Sequence, residues 1–184
     1  LKLVYYNPDY IQFWPIVSEA WTLMGVEPIL LYTGEQKLNL KGNVFNFYSK
    51  NIDSSFVAQN IRILYPSLLD GNTCLVSDID NLPLSKKYFI NSVLDYENDS
   101  FIIYRPDACP PNMISMMWNA ANSSTWKEIF NIDSERNIEK YLKKWYTKKY
   151  AIEGKAWYTD QIKLRKYVNK FSKKNKSRIV ELDD

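Results

Sequence analysis

Residues 72–84, NTCLVSDIDNLPL, give the strongest indication of how this chain folds. The apolar run CLV follows a turn-forming Asp-Gly-Asn sequence, which predicts a buried strand. Asp78 and Asp80 come directly after this run, and side chains two residues apart in an extended segment point to the same side. Pro83 then prevents the strand from continuing as a central one. The pattern therefore predicts two carboxylates that project together from the end of a buried strand.

Two neighbouring buried carboxylates cost free energy unless a cation binds to both of them. The chain contains no histidine, and Mg²⁺ and Mn²⁺ are the hard ions that carboxylates, water and substrate phosphates bind through oxygen. The competing interpretation is a surface turn, because Asp and Asn favour turns. We predict that Asp78 and Asp80 bind Mn²⁺ or Mg²⁺.

The composition is that of a globular protein, with 46% hydrophobic and 24% charged residues. At 184 residues, the chain is predicted to be one domain, 1–184, and its start within a strand-like run fits a piece of a longer protein. The net charge of +3 is too small to indicate a nucleic-acid partner, and no apolar run is long enough to span a membrane. The two cysteines fit a reducing compartment, so we predict a cytoplasmic location.

Apolar patterns along the rest of the chain predict alternating strands and helices. Strands at 1–6 and 28–33 flank a helix at 10–24, which is the order of a βαβ unit with parallel strands. Further strands are predicted at 44–48, 101–104 and 179–182. Further helices are predicted at 86–94, 123–130 and 138–146. Another is predicted to be capped by Asp53 or Ser54 and ended by Pro66, and the last to be capped by Thr159 or Asp160. Residues 113–121 read as core or pocket lining. We predict an α/β domain with a mixed, mostly parallel central sheet flanked by helices.

Three further features have both a structural and a functional interpretation. Arg62 is either a solvated residue near a helix C-terminus or a cation close to bound phosphates. Asp160 is a candidate helix cap. The proline-rich loop at 106–113 is a connector or a substrate contact. Five lysines are most simply a solvated face: Lys140, Lys143, Lys144, Lys148 and Lys149.

The chain resembles nucleotide-diphospho-sugar glycosyltransferases of the GT-A fold. It is also similar to the small glycosyltransferase domains encoded by large DNA viruses of algae and amoebae. Four short segments carry the resemblance: YYN at 5–7, AQNIR at 58–62, SDID at 77–80 and WYTDQ at 157–161.

The resemblance implies a Rossmann-like domain that moves a sugar from a UDP- or GDP-sugar to a glycan or glycoprotein acceptor. The N-terminal half would bind the donor and the C-terminal half the acceptor, in host cytoplasm if the protein is viral. Asp160 would be the base of an inverting reaction or, in a retaining one, would hold sugar hydroxyls, and Arg62 would assist catalysis. Implied donor contacts are Tyr6, Asn7, Asp9, Arg62, Ser77, Asp78, Ile79 and Asp80.

Three other functions are compatible with the SDID segment at 77–80. A nucleotidyltransferase of related fold is the nearest of them. A haloacid-dehalogenase-type phosphatase would be phosphorylated on Asp78, but it expects Thr or Val where Leu82 stands, and three predicted strands precede the motif. A sugar- or nucleotide-binding module without turnover is the non-enzyme alternative.

Overall fold

A computed structural model describes residues 10–35 and 38–182 of the chain. The predicted strand at 1–6 lies outside these residues, and so do Tyr6, Asn7 and Asp9. The described strands are β1 Ile29–Tyr32, β2 Asn43–Asn46, β3 Thr73–Val76, β4 Phe101–Ile103, β5 Asn119–Asn122 and β6 Ile179–Glu181. The described α-helices are α1 Trp14–Leu23, α2 Ser54–Leu64, α3 Lys86–Phe89, α4 Ser123–Phe130, α5 Glu135–Trp145 and α6 Thr159–Ser172.

Four of these strands form a mixed sheet in the order β3-β5-β4-β6. β5 runs antiparallel to both of its neighbours, whereas β4 and β6 are parallel. β1 and β2 form a separate parallel pair. The prediction of an α/β domain with a mixed sheet flanked by helices is confirmed. The expected predominance of parallel pairs is wrong for the four-stranded sheet of the described residues, where two of three pairs are antiparallel.

Both antiparallel pairs of the four-stranded sheet involve β5, whose sequence is NAAN. Ala and Asn have low β-propensity, so the sequence predicts no strand here. In the fold, Ala120 lies between Leu75 and Ile102, and Ala121 lies between Cys74 and Phe101. The strand is therefore stabilised by pairing on both sides, and its small side chains leave room for the larger ones of its neighbours.

Alternate residues of the sheet face two different hydrophobic cores, as the two-residue period of a strand requires. In β3, Cys74 and Val76 face one core, and Leu75 faces the other. The first core is completed by α2, α4, α5 and α6, and the second by α1 and α3. The sheet thus lies between two helical layers. Within the described residues, no helix has the length and apolar character needed to cross a membrane.

Helix α2 lies in the interior of the first layer. Asp53 begins it by accepting a hydrogen bond from the backbone N–H of Ser55 at 2.9 Å. Every residue from 56 to 64 is buried, including the polar ones. Because α2 contacts both α5 and α6, its polar side chains are surrounded by protein and not by water.

Candidate functional site

Arg62 lies in the last turn of α2 and joins three segments that are far apart in the sequence. Its Nη1 contacts Oδ1 of Asp78, and its Nη2 lies 2.5 Å from Oδ2 of Asp160, 98 residues away. Its Nε donates to the same Asp160 oxygen and to the carbonyl oxygen of Gln59, both at 3.1 Å. The guanidinium therefore links α2 to the segment after β3 and to the first turn of α6.

The interior position of Arg62 excludes the solvated interpretation, because the residue is only 4% exposed. Burial by itself lowers the pKa of the guanidinium. The negative charges of Asp78 and Asp160 outweigh that effect and raise the pKa above its ordinary value. Arg62 is thus a permanently charged group held by two carboxylates, which is the arrangement that a buried charge requires.

Asp160 is the more deeply buried of the two carboxylates, at 1% exposure. Oδ2 accepts from Arg62, and Oδ1 accepts from the backbone N–H of Gln161 at 2.8 Å. Burial raises the pKa of Asp160, and the contacts with Arg62 act in the opposite direction. The expectation that Thr159 or Asp160 is the N-cap is wrong, since Tyr158 occupies that position without a side-chain cap bond. The carboxylate instead faces inward and holds Arg62, because α6 packs against α2.

Burial alternates along the SDID segment as predicted, but Ile79 and Asp80 lie in a turn, in which the N–H of Asn81 donates to the carbonyl oxygen of Asp78 at 3.2 Å, as the turn interpretation expects. Asp78 and Asp80 line a cavity, and the side chain of Asp78 is 25% exposed. Burial raises the pKa of Asp80, and the charge of Asp78 raises it further, so the two carboxylates lie close enough to repel each other. Ser77 and Ile79 point the other way, into the interior.

The side chains of Ser77 and Ile79 therefore do not line the cavity, and a donor contact through their backbone stays a prediction. Ser77 Oγ accepts a hydrogen bond from Nε1 of Trp118 at 3.0 Å, and Ile79 packs in the second hydrophobic core. Their contribution to the site is to anchor the segment, so that Asp78 and Asp80 are held at the cavity wall.

The cavity beside the carboxylates has a volume of about 590 Å³. Its walls come from α2, the SDID segment, the proline-rich loop, residues 115–117 and the start of α6. Two hydrogen bonds fix the end of the loop to α6. Arg165 Nε donates to the carbonyl oxygen of Met113 at 3.0 Å, and the N–H of Ile114 donates to the carbonyl oxygen of Gln161 at 3.2 Å. The proline-rich loop therefore borders the cavity. Whether it contacts a substrate stays a prediction.

The WYTDQ segment contributes aromatic side chains to the cavity wall. Trp157 and Tyr158 both line the cavity, and Trp157 stacks on Tyr150 with ring centroids 6.2 Å apart. Tyr150 in turn donates its hydroxyl to Oε1 of Gln59 at 3.0 Å. Sequence reasoning missed Gln59. Its spacing of three residues before Arg62, on the same face of a helix, is the signal that could have found it.

The side chains at this cavity fit a divalent cation that is completed by a phosphate-bearing substrate. Within residues 10–35 and 38–182, no cluster of three or more His, Cys, Asp or Glu side chains is suited to holding a metal. Mg²⁺, however, commonly takes only one or two carboxylates from the protein and the rest of its oxygen ligands from water and phosphate. Arg62 balances one of the charges on Asp78, Asp80 and Asp160, so two negative charges remain for a divalent ion to neutralise.

Comparison with known proteins adds no assignment: no protein-family model, curated protein or solved structure matches this chain.

Proposed function

We propose that this protein is a metal-dependent glycosyltransferase that moves a sugar from a UDP- or GDP-sugar to a hydroxyl group of a glycan or glycoprotein. The observation that supports this most is the ionic link from Arg62 to Asp78 and Asp160 beside a cavity that Asp80 also lines. Three of the residues that the resemblance singles out thus meet at one site, although they are distant in sequence.

The reaction needs a nucleoside diphosphate to leave the anomeric carbon of the donor sugar. Asp78 and Asp80 would hold Mg²⁺ or Mn²⁺, which supplies Lewis-acid neutralisation of the charge that grows on the diphosphate. Arg62 lines the same cavity and remains charged, so it would add a preorganised positive contact to the departing group.

The acceptor hydroxyl must lose a proton during transfer. The role of Asp160 as the base stays a prediction, but its geometry supports another role better. Both of its oxygens accept hydrogen bonds within the protein, and its side chain is not part of the cavity wall. In our proposal, Asp160 is a positioning residue that fixes the guanidinium of Arg62, and an oxygen of the departing diphosphate takes the acceptor proton, as in the retaining alternative that needs no protein base.

One experiment separates the candidate functions. With and without Mn²⁺, the protein is incubated in separate reactions with UDP- or GDP-sugars and a glycan acceptor, with nucleoside triphosphate and sugar phosphate, and with phosphomonoesters, and the products are identified. A transferase releases nucleoside diphosphate. Release of pyrophosphate from nucleoside triphosphate and sugar phosphate would instead indicate a nucleotidyltransferase, and orthophosphate from phosphomonoesters would indicate a phosphatase. Binding of donor without any product would indicate a binding module.

Metal and nucleotide should bind together. The cavity wall carries excess negative charge, so we expect nucleoside diphosphate alone to raise the melting temperature little. Mn²⁺ with the diphosphate should raise it clearly, since a ligand at about one hundred times its Kd stabilises by about 2.7 kcal/mol. Asp80→Ala should abolish this gain, and Asp95→Ala, at an exposed position outside the cavity wall, should keep it. An equal gain in both variants would locate the metal elsewhere.

Arg62→Lys tests the guanidinium without removing its charge. Lysine lacks the planar fork that contacts Asp78 and Asp160 at the same time, so it is a poor substitute at such a site. Loss of one charge-assisted hydrogen bond to the donor should weaken binding about tenfold or more. Calorimetric titration of the folded variant with donor and Mn²⁺ measures this, and wild-type affinity would remove Arg62 from the donor contacts.

A further inference from the structure

Charge is distributed very unevenly along this chain. Residues 136–178 contain 15 of the 24 basic residues but only 3 of the 21 acidic ones. This segment therefore has a net charge of +12, and the rest of the chain has −9. The overall charge of +3 conceals this asymmetry, which is of the kind that indicates a negatively charged partner.

Lysines from α5 and α6 lie on one continuous surface. Lys163 of α6 lies over the ring of Trp145 in α5, with Nζ 5.7 Å from the ring centroid. Partial burial lowers the pKa of Lys163, and the charges of Lys166 and of Lys144 on α5 lower it further. We define the basic face by its members: Lys144, Lys163, Lys166, Lys170 and Lys173.

The basic face has a shape that fits an extended ligand. Lys166, Lys170 and Lys173 border one groove of about 370 Å³ on the outer side of α6. Within the part of the chain that the structure describes, no lysine of the basic face has an acidic partner within 4.0 Å, whereas neighbouring Lys143 pairs with Glu139 at 3.0 Å. The charge of this face is thus available to a partner.

A row of side chains on one side of α6 connects the candidate active site to the basic face. Tyr158, Ile162, Lys166 and Lys170 follow one another at four-residue steps, so they share one face of α6. Tyr158 lines the cavity and is 49% exposed, and Ile162 is 42% exposed. Twelve residues of helix extend about 18 Å, so the row leads from the cavity mouth along the surface by about that distance.

We propose that the basic face binds a linear anionic polysaccharide, carboxylated or sulfated, whose terminal sugar enters the cavity as the acceptor. This assignment of the acceptor class rests on the proposed transferase function. The chain end would contact Tyr158 and Ile162, where apolar surface suits a sugar ring, and the following negatively charged units would lie along the lysines.

The surface is less suited to the other common polyanions. A helix that binds at a membrane surface combines its lysines with apolar side chains that enter the bilayer. Tyr158 and Ile162 are exposed only at the cavity end of the row, and between residues 163 and 182, where the lysines of α6 lie, the structure contains no exposed large hydrophobic side chain. Binding of single-stranded nucleic acid uses aromatic rings on which bases stack, but here Trp145 is buried and Tyr167 packs against it with ring centroids 5.9 Å apart.

The test measures direct binding of the whole chain to fluorescent polygalacturonate, with neutral dextran as the uncharged comparison. The triple variant K166E/K170E/K173E reverses three charges of the basic face. The matched variant K50E/K86E/K87E makes the same change in net charge at exposed positions outside it. We expect the first variant to bind about ten- to a hundredfold more weakly, since each exposed ion pair contributes modestly and three are reversed. The matched variant should bind nearly as wild type does.

Several results would overturn this inference. Equal losses in both triple variants would show that only net charge matters. Tighter binding to phosphatidylserine vesicles or to DNA than to polygalacturonate would assign the surface to a membrane or to nucleic acid. The corresponding Lys→Gln triple variant, whose melting temperature should match wild type, confirms that any loss reflects charge and not unfolding.

The experiment also distinguishes failure of this inference from failure of the proposed function, because binding is measured without donor or metal. Loss of binding in the basic-face variant, together with absent donor turnover, would support polyanion binding by the basic face and contradict the proposed transferase function. Donor turnover with neutral acceptors and no binding of polygalacturonate would reject the polyanion surface alone.

Discussion

Asp160→Asn is expected to lower the free energy of unfolding by up to about 3–5 kcal/mol, because it removes one of the two carboxylates that hold the buried charge of Arg62. Asparagine has nearly the same shape as aspartate, so the loss reflects charge and not a cavity. For a chain of this size, the melting temperature should fall by about 6–20 °C. Guanidinium chloride unfolding measures the change directly. The contacts of 2.5 Å and 3.1 Å that Oδ2 makes with the guanidinium are the structural basis of this expectation.

The matched control for Asp160→Asn is Glu139→Gln. Glu139 forms an ion pair with Lys143 at 3.0 Å on the surface of α5, and both side chains are well exposed. An exposed pair four residues apart on a helix contributes only about 0.3–0.5 kcal/mol. A similar small loss for Asp160→Asn would contradict the buried link to Arg62.

A double variant tests whether the two residues act as a pair. Arg62→Met with Asp160→Leu replaces both charges by apolar side chains of suitable size, which is often neutral or stabilising at a buried ion pair. We expect the double variant to be more stable than the sum of the two single losses predicts, by at least about 1 kcal/mol. Asp78 then loses its Arg62 contact, but its side chain is partly exposed to water.

The stability result also decides between the two roles of Asp160. A positioning residue loses stability, donor affinity and transfer together, because Arg62 is no longer fixed. A base loses transfer by about two to four orders of magnitude while donor binding and stability hardly change. We expect the first outcome.

Asp80→Asn is expected to reduce donor turnover about a hundredfold or more while the protein remains folded. The reason is loss of a metal ligand, since Lewis-acid stabilisation of the departing diphosphate contributes several kcal/mol to the transition state. Asp80 is exposed at the cavity wall, but partial desolvation of its carboxylate and the charge of Asp78 raise its pKa, so removing its charge should not destabilise the fold. Release of UDP or GDP at saturating Mn²⁺ measures the change.

Asp95→Asn is the control for Asp80→Asn, because it removes an exposed carboxylate outside the cavity wall. It should leave turnover within about twofold of wild type, as surface substitutions usually have small effects. Wild-type turnover in Asp80→Asn would show that this carboxylate does not bind the metal and would contradict the proposed role of the Asp78 and Asp80 pair.

The local geometry of the SDID segment followed from the sequence. Side chains of an extended chain alternate in direction, so Asp78 and Asp80 had to face one side and Ser77 and Ile79 the other. The structure agrees on these two sides, with the carboxylates at the cavity and their neighbours in the interior, but Ile79 and Asp80 lie in a turn and not in extended chain. The order of apolar patterns likewise predicted most of the described helices and strands, because those patterns reflect burial within single elements.

Pairing between elements was the part that single-residue patterns did not predict. β5 consists of Asn and Ala, which have little strand propensity, and it exists because β3 and β4 supply hydrogen-bonding partners on both sides. Since β5 is antiparallel to both neighbours, this one strand also changed the predicted character of the sheet.

The role of Arg62 was decided only by the tertiary structure. By sequence alone, the residue could equally be a solvated side chain at the end of a helix or a cation at a phosphate site. Packing of α2 against α6 buries the guanidinium and brings Asp160 to it from 98 residues away. The physical reason is that a buried charge must find its partners in three dimensions, whereas helix and strand periodicity reports only which face of an element is apolar.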